Sequence, residues 1–393
     1  MFVAGAWPPR AMSRPAGVYV HFPWCLVRCP YCDFAVSTER PIPQERYTRA
    51  VLAELELRTA GGGIDAVSLY LGGGTPSLWD PAGVARVIAA VRERLRLPEA
   101  GEVTLEANPE SCDPGRLRAF RDAGVNRLSI GVQSFDPGVL VKLGRRHGPE
   151  LAERAVRTAA GVLPSVSVDL IYGARRSSVA TARADGERVA RLPVAHVSAY
   201  ALTLDPEVLA EEVPLARLKR QGRLPLPPDE DVAAQAAALR AALRRGGLRR
   251  YEVSNFSLPG RESVHNQVYW DSGSYLGLGV GAYGCLHGPG ERALRWGNHR
   301  APSAYFAAVE AGHLPTAEED RLGPLELAEE RVMLALRTRK GLPLESIASE
   351  KRGEVAALVA ARLAAVIGGR LVLTSRGLDV HSAVAERLIP DHL

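Results

Sequence analysis

The strongest constraint on the fold is an alternation. Short β-branched or apolar runs recur at Gly17–Phe22, Val67–Leu71, Val103–Ala107, Arg127–Val132, Val166–Ile171 and His196–Leu202. Between them lie Gln44–Ala60, Pro81–Leu95, Pro114–Ala123, Leu151–Gly161 and Val179–Leu192. Their apolar residues fall three and four apart, as on one face of a helix. Proline or glycine marks many ends, as at Pro43, Pro81 and Gly161. Repeated β-α units predict a parallel sheet with helices outside it. The expected fold class is therefore α/β, a partial (βα)6 TIM-like barrel, with a doubly wound open sheet as the alternative.

The pattern changes after the Pro-rich stretch Leu224-Pro-Leu-Pro-Pro228. An alanine-rich helix is expected at Asp229–Arg245, followed by an irregular glycine- and aromatic-rich segment from Arg250 to Asn298. Helices are then expected at Ser303–Ala311, Leu325–Arg337, Pro343–Ala348 and Glu354–Ile367. A hairpin should close the chain, with strands Arg370–Thr374 and Leu378–Val380 around a turn at Arg376-Gly377. That order resembles a small winged-helix module. It lacks a basic recognition helix, so a structural or docking role is expected. The organisation is a tail at 1–16, a barrel at 17–228, an α/β extension at 229–300 and the winged-helix-like domain at 301–393. Met12 is an alternative start, because the first strand-like run begins only at Gly17.

Composition narrows the function classes. Of 393 residues, 46% are hydrophobic and 24% charged, an ordinary globular balance. The net charge of +5 is spread without a long run of one sign, so no nucleic-acid groove is expected. No run approaches the ~18 consecutive apolar residues of a membrane helix. Met1–Trp7 is apolar but short, is broken by Pro8-Pro9 and lacks a basic flank, so no secretion signal is expected. Cys25, Cys29 and Cys32 cluster, while Cys112 and Cys285 stand alone. An odd, clustered set points to a metal site in a reducing cytoplasm rather than to disulfides.

Cys25-Leu-Val-Arg-Cys29-Pro-Tyr-Cys32 follows directly on the first strand-like run. Three thiolates on one loop can hold three corners of an iron–sulfur cubane and leave the fourth iron open to a ligand. Zinc would usually need a fourth protein ligand and paired C-x2-C spacing. With Tyr31 before the last cysteine, the motif resembles the signature of the radical S-adenosylmethionine (radical SAM) proteins. The resemblance implies a [4Fe-4S] cluster on Cys25, Cys29 and Cys32. Its open iron would chelate S-adenosylmethionine, which one electron can cleave to methionine and a 5′-deoxyadenosyl radical.

Tyr70-Leu-Gly72-Gly-Gly74-Thr75-Pro76 ends the second strand-like run, where glycines let backbone approach a ligand. It is not a phosphate loop, since G-x4-G-K-[ST] is absent. Glu106, Gln133, Arg145 and Asp169 fall at or near later strand ends, the binding face of a parallel barrel. Together these loops resemble the coproporphyrinogen-dehydrogenase-like branch of the radical SAM proteins. The resemblance implies S-adenosylmethionine contacts from Tyr19, Tyr31, Gly73, Gly74, Thr75, Glu106, Gln133, Arg145, Asp169 and Ala201. Gly279-Val-Gly-Ala-Tyr-Gly284 fits G-x-G-x-x-G, but Cys285-Leu-His-Gly-Pro-Gly290 cannot open the helix that a dinucleotide fold needs.

That branch contains a dehydrogenase, which oxidatively decarboxylates porphyrinogen propionates, and heme chaperones, which hand heme to respiratory enzymes. The dehydrogenase signature continues to a further cysteine, where this chain has Phe34. It also carries a longer N-terminal extension than the residues before Gly17. His265-Asn-Gln-Val-Tyr-Trp270 matches the H-N-Q-x-Y-W heme motif of the chaperones. The resemblance therefore implies heme as cargo, bound through His265, Asn266, Gln267, Tyr269 and Trp270. Imidazole is a common heme ligand and aromatic faces suit a porphyrin. His265 would ligate iron or shape the pocket. Cys285, His287 and His299 are other conceivable ligands. The expectation is a cytoplasmic heme chaperone with no assigned catalytic residue and a heme-requiring respiratory enzyme as recipient, with the coproporphyrinogen III dehydrogenase or another radical SAM oxidoreductase as the alternative.

Overall fold

The structure is a computed structural model that describes residues 15–205 and 213–390. Most of the expected tail, Met12 included, lies outside the described residues, and Ala16 already belongs to the first strand. Six strands form in chain order: β1 (Ala16–Phe22), β2 (Ala66–Gly73), β3 (Glu102–Ala107), β4 (Arg127–Gln133), β5 (Ser165–Tyr172) and β6 (His196–Ala201). Each pairs in parallel with the next. The intervening helices are α1 (Gln44–Thr59), α2 (Pro81–Leu95), α3 (Pro114–Asp122), α4 (Pro137–Lys142), α5 (Pro149–Ala160) and α6 (Val179–Val189).

The strands explain themselves by their period of two. Val18, Val20 and Phe22 of β1, Leu69 and Leu71 of β2, and Val166, Val168 and Leu170 of β5 enter the main apolar core. The alternate positions carry Tyr19, His21, Ser68, Tyr70, Ser167 and Asp169, which give the barrel a polar interior. The helices start where Asp-Pro pairs dictate. Asp80, Asp113 and Asp136 each accept a backbone N–H of the first turn, with proline at the first helical position. Each cap contributes about 1 kcal/mol.

Strands β6 and β1 do not pair with each other, so the barrel is partial. Helices α7 (Pro214–Arg220) and α8 (Asp229–Arg245) lead to β7 (Arg249–Arg250) and β8 (Asn255–Ser257), which extend the sheet beyond β6. A short helix follows, α9 (Val264–Trp270). Its N-terminus is tied to the start of β3: the Glu102 carboxylate accepts from the Val264 and His265 amides at 3.1 and 3.0 Å. The segment expected to be irregular instead holds β9 (Tyr275–Gly279), β10 (Tyr283–Gly288) and β11 (Arg292–Asn298). With α10 (Pro302–Glu310) and β12 (Thr316–Leu322) they extend the sheet beyond β1, β9 running parallel to it. The G-x-G-x-x-G sequence is the turn between β9 and β10, and a strand rather than a helix follows it.

Glu54 of α1 clamps this extension. Its buried carboxylate accepts from Arg58 (2.8 Å), Asn298 (2.7 Å), Tyr305 (2.8 Å) and the Gly279 amide (2.8 Å).

A second core, built on Leu336, Leu342, Leu358, Leu371 and Leu388, belongs to the C-terminal module. The module comprises α11 (Pro324–Leu336), β13 (Leu342–Pro343), α12 (Arg352–Ala360), β14 (Ala364–Ile367), β15 (Arg370–Leu373), α13 (Ser375–Asp379) and α14 (His381–Leu388). Three expectations need correction here. The helix expected at 354–367 stops at Ala360, and Ala364–Ile367 is a strand. Gly368 and Gly369, both at positive φ, make the hairpin turn, so the hairpin lies one strand earlier than expected. Arg376-Gly377 sits in α13, capped by Thr374, and the expected helix Pro343–Ala348 is the end of the strand Leu342–Pro343 followed by a 3-10 turn at Leu344–Ser346. Among the described residues no helix is long and apolar enough to cross a membrane.

Candidate functional site

The cysteine loop leaves β1 and folds back on itself. The Cys25 amide donates to Ser37 O at 3.0 Å, and the Cys32 amide to Cys29 O at 3.1 Å. All three thiols line one cavity of about 320 Å³ at the C-terminal ends of the barrel strands. Thr75 Oγ1 donates to Cys25 Sγ at 3.4 Å and Arg145 Nη1 to Cys29 Sγ at 3.5 Å. Burial, then the neighbouring Cys32 and Cys29, push the Cys25 thiol up to about 11, against the Thr75 hydrogen bond. Burial also raises the Cys32 thiol.

Two carboxylates face the same cavity. Glu106 accepts from Tyr70 Oη at 2.7 Å and from the Gly73 amide at 2.9 Å. Burial raises it to about 7, and Asp169 adds to the rise. Asp169 accepts from Ser129 Oγ at 3.0 Å, and burial raises it to about 6. Arg145 reaches in from the loop after α4, donating to Asn108 Oδ1 at 2.5 Å and Gly131 O at 2.8 Å. Its Nε and Gln133 Oε1 are buried without a hydrogen-bond partner among the described residues. Gln133 also holds a φ of 67°, a left-handed conformation that costs energy for a side chain of this size. Gly73 has a φ of 111°, and a Cβ there would meet the His21 ring at 2.7 Å. The chain thus keeps strained backbone and unmet polar atoms where a ligand can meet them.

The structure brings most of the expected residues together. Cys25, Cys29, Cys32, Tyr31, Gly73, Gly74, Thr75, Glu106, Gln133, Arg145 and Asp169 all line this cavity. Tyr19 lies one layer below, stacked on Tyr70 with centroids 6.1 Å apart and hydrogen-bonded to His21. Ala201 is not brought in; it lines a separate cavity against α8. The period of β6 gives the inward positions to Ser198 and Tyr200 instead. Sequence reasoning missed these two, together with Tyr70, Asn108 and Ser129. Inward register on β2, β4 and β6 was the signal that could have found them.

The H-N-Q-x-Y-W segment is α9, at the opposite, N-terminal ends of β1–β3. His265 is buried, its Nδ1 paired with Ser68 Oγ at 2.9 Å and its Nε2 with Tyr269 Oη at 2.8 Å. Burial holds its pKa down to about 3, so the ring is neutral. It stacks under Tyr70 at 5.1 Å. Both ring nitrogens are engaged, and iron ligation by His265 would break one of these bonds. Asn266 and Gln267 are half-buried, and both bond back to Ser263. Trp270 lies under Arg337 at 4.3 Å, and Tyr269 meets Tyr275 edge-on at 4.7 Å.

Comparison with known proteins agrees with this geometry. Residues 19–180 match the radical SAM superfamily, and residues 322–380 match the HemN C-terminal domain. The chain is 38% identical over 382 residues to the heme chaperone HemW of Mycobacterium tuberculosis, spanning 96% of this chain and 95% of that one. It is 36% identical to HemW of Escherichia coli over 299 residues, 74% of this chain and 76% of the relative. The mitochondrial radical S-adenosyl methionine domain-containing protein 1 of Bos taurus is 39% identical over 344 residues, 86% of this chain and 76% of the relative. The solved structure of coproporphyrinogen III oxidase (HemN) from Escherichia coli shares the fold at a TM-score of 0.80 and 21% identity, covering 97% of this chain and 91% of that one. The chain belongs to the HemW family within the radical SAM superfamily.

Proposed function

We propose that this chain is a cytoplasmic heme chaperone that binds heme and delivers it to respiratory enzymes. Cys25, Cys29 and Cys32 would hold a [4Fe-4S] cluster beside S-adenosylmethionine. One observation carries the choice of carrier over dehydrogenase: the similarity to proteins named heme chaperone HemW extends over nearly the whole chain. Phe34 supports it. This residue, 58% exposed, lines the cavity mouth where the dehydrogenase signature has a further cysteine.

The donor set fits both cofactors. Three soft thiolates on one loop suit iron–sulfur iron. When bound, the cluster would supply an electron and an open iron to S-adenosylmethionine. The remaining residues match that cofactor's charges. Glu106 and Asp169 complement its ammonium and sulfonium, and Arg145 its carboxylate. Gly73 and Gly74 let their loop pack against His21 and Pro23 while it lines the cavity, and Tyr200 offers a flat face at the rim.

The test is an anaerobic titration of cluster-reconstituted protein with heme. Coproporphyrinogen III, S-adenosylmethionine and a reductant are supplied in parallel. Stoichiometric heme binding, transfer to a heme-free respiratory enzyme and no protoporphyrinogen IX are the expected results. Porphyrinogen turnover at an enzymatic rate would overturn the carrier reading in favour of the dehydrogenase. Cys29→Ala should remove the cluster's visible absorbance while the far-ultraviolet spectrum stays that of a folded chain.

A further inference from the structure

A second cavity, of about 620 Å³, opens beyond α9, between the β10–β11 hairpin and the C-terminal module. It runs into a smaller one of about 270 Å³, the two sharing Ser272, Gly273, His287 and Leu327. The larger lies within the size range of small-molecule sites, about 300–1,000 Å³. A column of rings links them to the cysteine cavity: Tyr70 stacks on His265 at 5.1 Å, His265 meets Tyr269 at 5.0 Å, and Tyr269 meets Tyr275 at 4.7 Å. Tyr70 lines the first cavity, whereas Tyr269 and Tyr275 line the second.

The second cleft is divided in polarity. Its smaller part is walled by Tyr275, Leu327, Met333 and Leu334 and also holds the Arg295–Glu330 ion pair, closed at 2.6 Å. Its larger part presents Arg292, Arg331, Lys340 and Arg370 against Asp271 and Glu291. Lys340 pairs with Asp271 at 2.6 Å and Arg331 with Glu291 at 3.6 Å, in solvent-facing pairs that exchange partners at little cost. An apolar wall beside surplus cations complements a flat apolar molecule with carboxylates along one edge.

We propose that this cleft, and not the cysteine cavity, receives the cargo heme. Arg292 and Arg331 take its carboxylates, and His287, at the junction of the two parts, faces its iron. His265 is then a positioning residue: its Nε2 holds the hydroxyl of Tyr269, which walls the cleft. The assignment rests on the heme-carrier reading and goes beyond it by moving the iron off the H-N-Q-x-Y-W histidine.

Hemin titrations of the full-length, cluster-reconstituted protein and four variants test it, with melting curves as the folding control. Arg292→Glu/Arg331→Glu should weaken hemin binding at least tenfold, yet leave binding of hemin dimethyl ester unchanged. His287→Ala should shift the Soret band of the complex. His265→Ala should keep the wild-type Soret position at saturation, with weaker binding that His265→Asn partly restores. Wild-type affinity in the charge-reversal variant, with the Soret shift found in His265→Ala instead, would overturn the cleft and leave the carrier reading standing. No saturable hemin binding by the wild-type protein would overturn both.

Discussion

At the scale of single residues, the cysteine cavity combines burial with charge, and its pH behaviour follows from that. Burial raises Glu106 to about 7 and Asp169 to about 6. A carboxyl raised in the native state favours folding while it is protonated. That contribution is complete below the unfolded value and is lost as pH rises through the native one. The Glu106 and Asp169 contributions are therefore lost between pH 4.5 and about 7, against the opposite contribution of the buried His21, His196 and His265 rings, all held below the usual histidine range. In Glu106→Gln the Glu106 part of that loss, about 3 kcal/mol, should disappear, while the Asp169, Asp185 and histidine parts remain. Urea denaturation at several pH values measures it, and parallel slopes for both proteins would sink the assignment. Gly73→Ala makes a second prediction. Its Cβ would strike His21 and displace the Gly73 amide from Glu106, so S-adenosylmethionine affinity should fall at least tenfold by calorimetry. Much of this site was legible in the chain, because C-x3-C-x2-C and Gly72-Gly-Gly74 fix chemistry by local spacing. Tyr70, Ser129 and Ser198 were not, because what brings them in is inward register across three strands.

At the scale of elements, legibility followed the length of the pattern. Helix α2 and helix α8 begin and end where periodicity and breakers put them, and the six barrel strands differ from expectation by a residue or two. The extension was unreadable for the opposite reason. Strands β9 to β11 are short and interrupted by Gly277, Gly284 and Gly297, so no apolar alternation accumulates. Ala364–Ile367 reads as a continuation of α12 by propensity, and the positive-φ Arg362 and the Gly368-Gly369 turn override it. Tertiary ties hold such weakly encoded strands. Glu54 joins α1 to β9, β11 and α10, and it is fully buried. Glu54→Ala leaves the Arg58 guanidinium buried without its carboxylate. The expected cost is about 3–5 kcal/mol in denaturant unfolding, and Glu54→Gln, which keeps an acceptor, should cost less. A change below 1 kcal/mol would mean that the extension is held by the ladder of β1 with β9 alone.

At the scale of the whole molecule, the C-terminal module closes the second cleft only while it stays docked on the barrel. Of the ion pairs that dock it, two bury one of their partners. Glu252, fully buried beside β7 and β8, accepts from Arg337 Nε at 2.6 Å and from the Ser254 amide at 2.8 Å. Arg250 donates to Asp379 at 2.7 Å. Arg337 follows α11 directly and also lies over Trp270, so the Glu252 contact fixes the helix that walls the cleft and the ring at the end of α9 together. Removing Glu252 leaves a half-buried guanidinium and a backbone amide without their acceptor, about 3 kcal/mol by analogy with other broken buried pairs. The main core does not depend on that contact, because its apolar cluster includes no residue of the module. Glu252→Ala should therefore speed hydrogen exchange in α11 and β13–β15 roughly a hundredfold through module undocking, and leave the amides of β1–β6 at wild-type rates. Uniform acceleration across both cores would show instead that barrel and module unfold as one unit, and that the cleft between them cannot open independently.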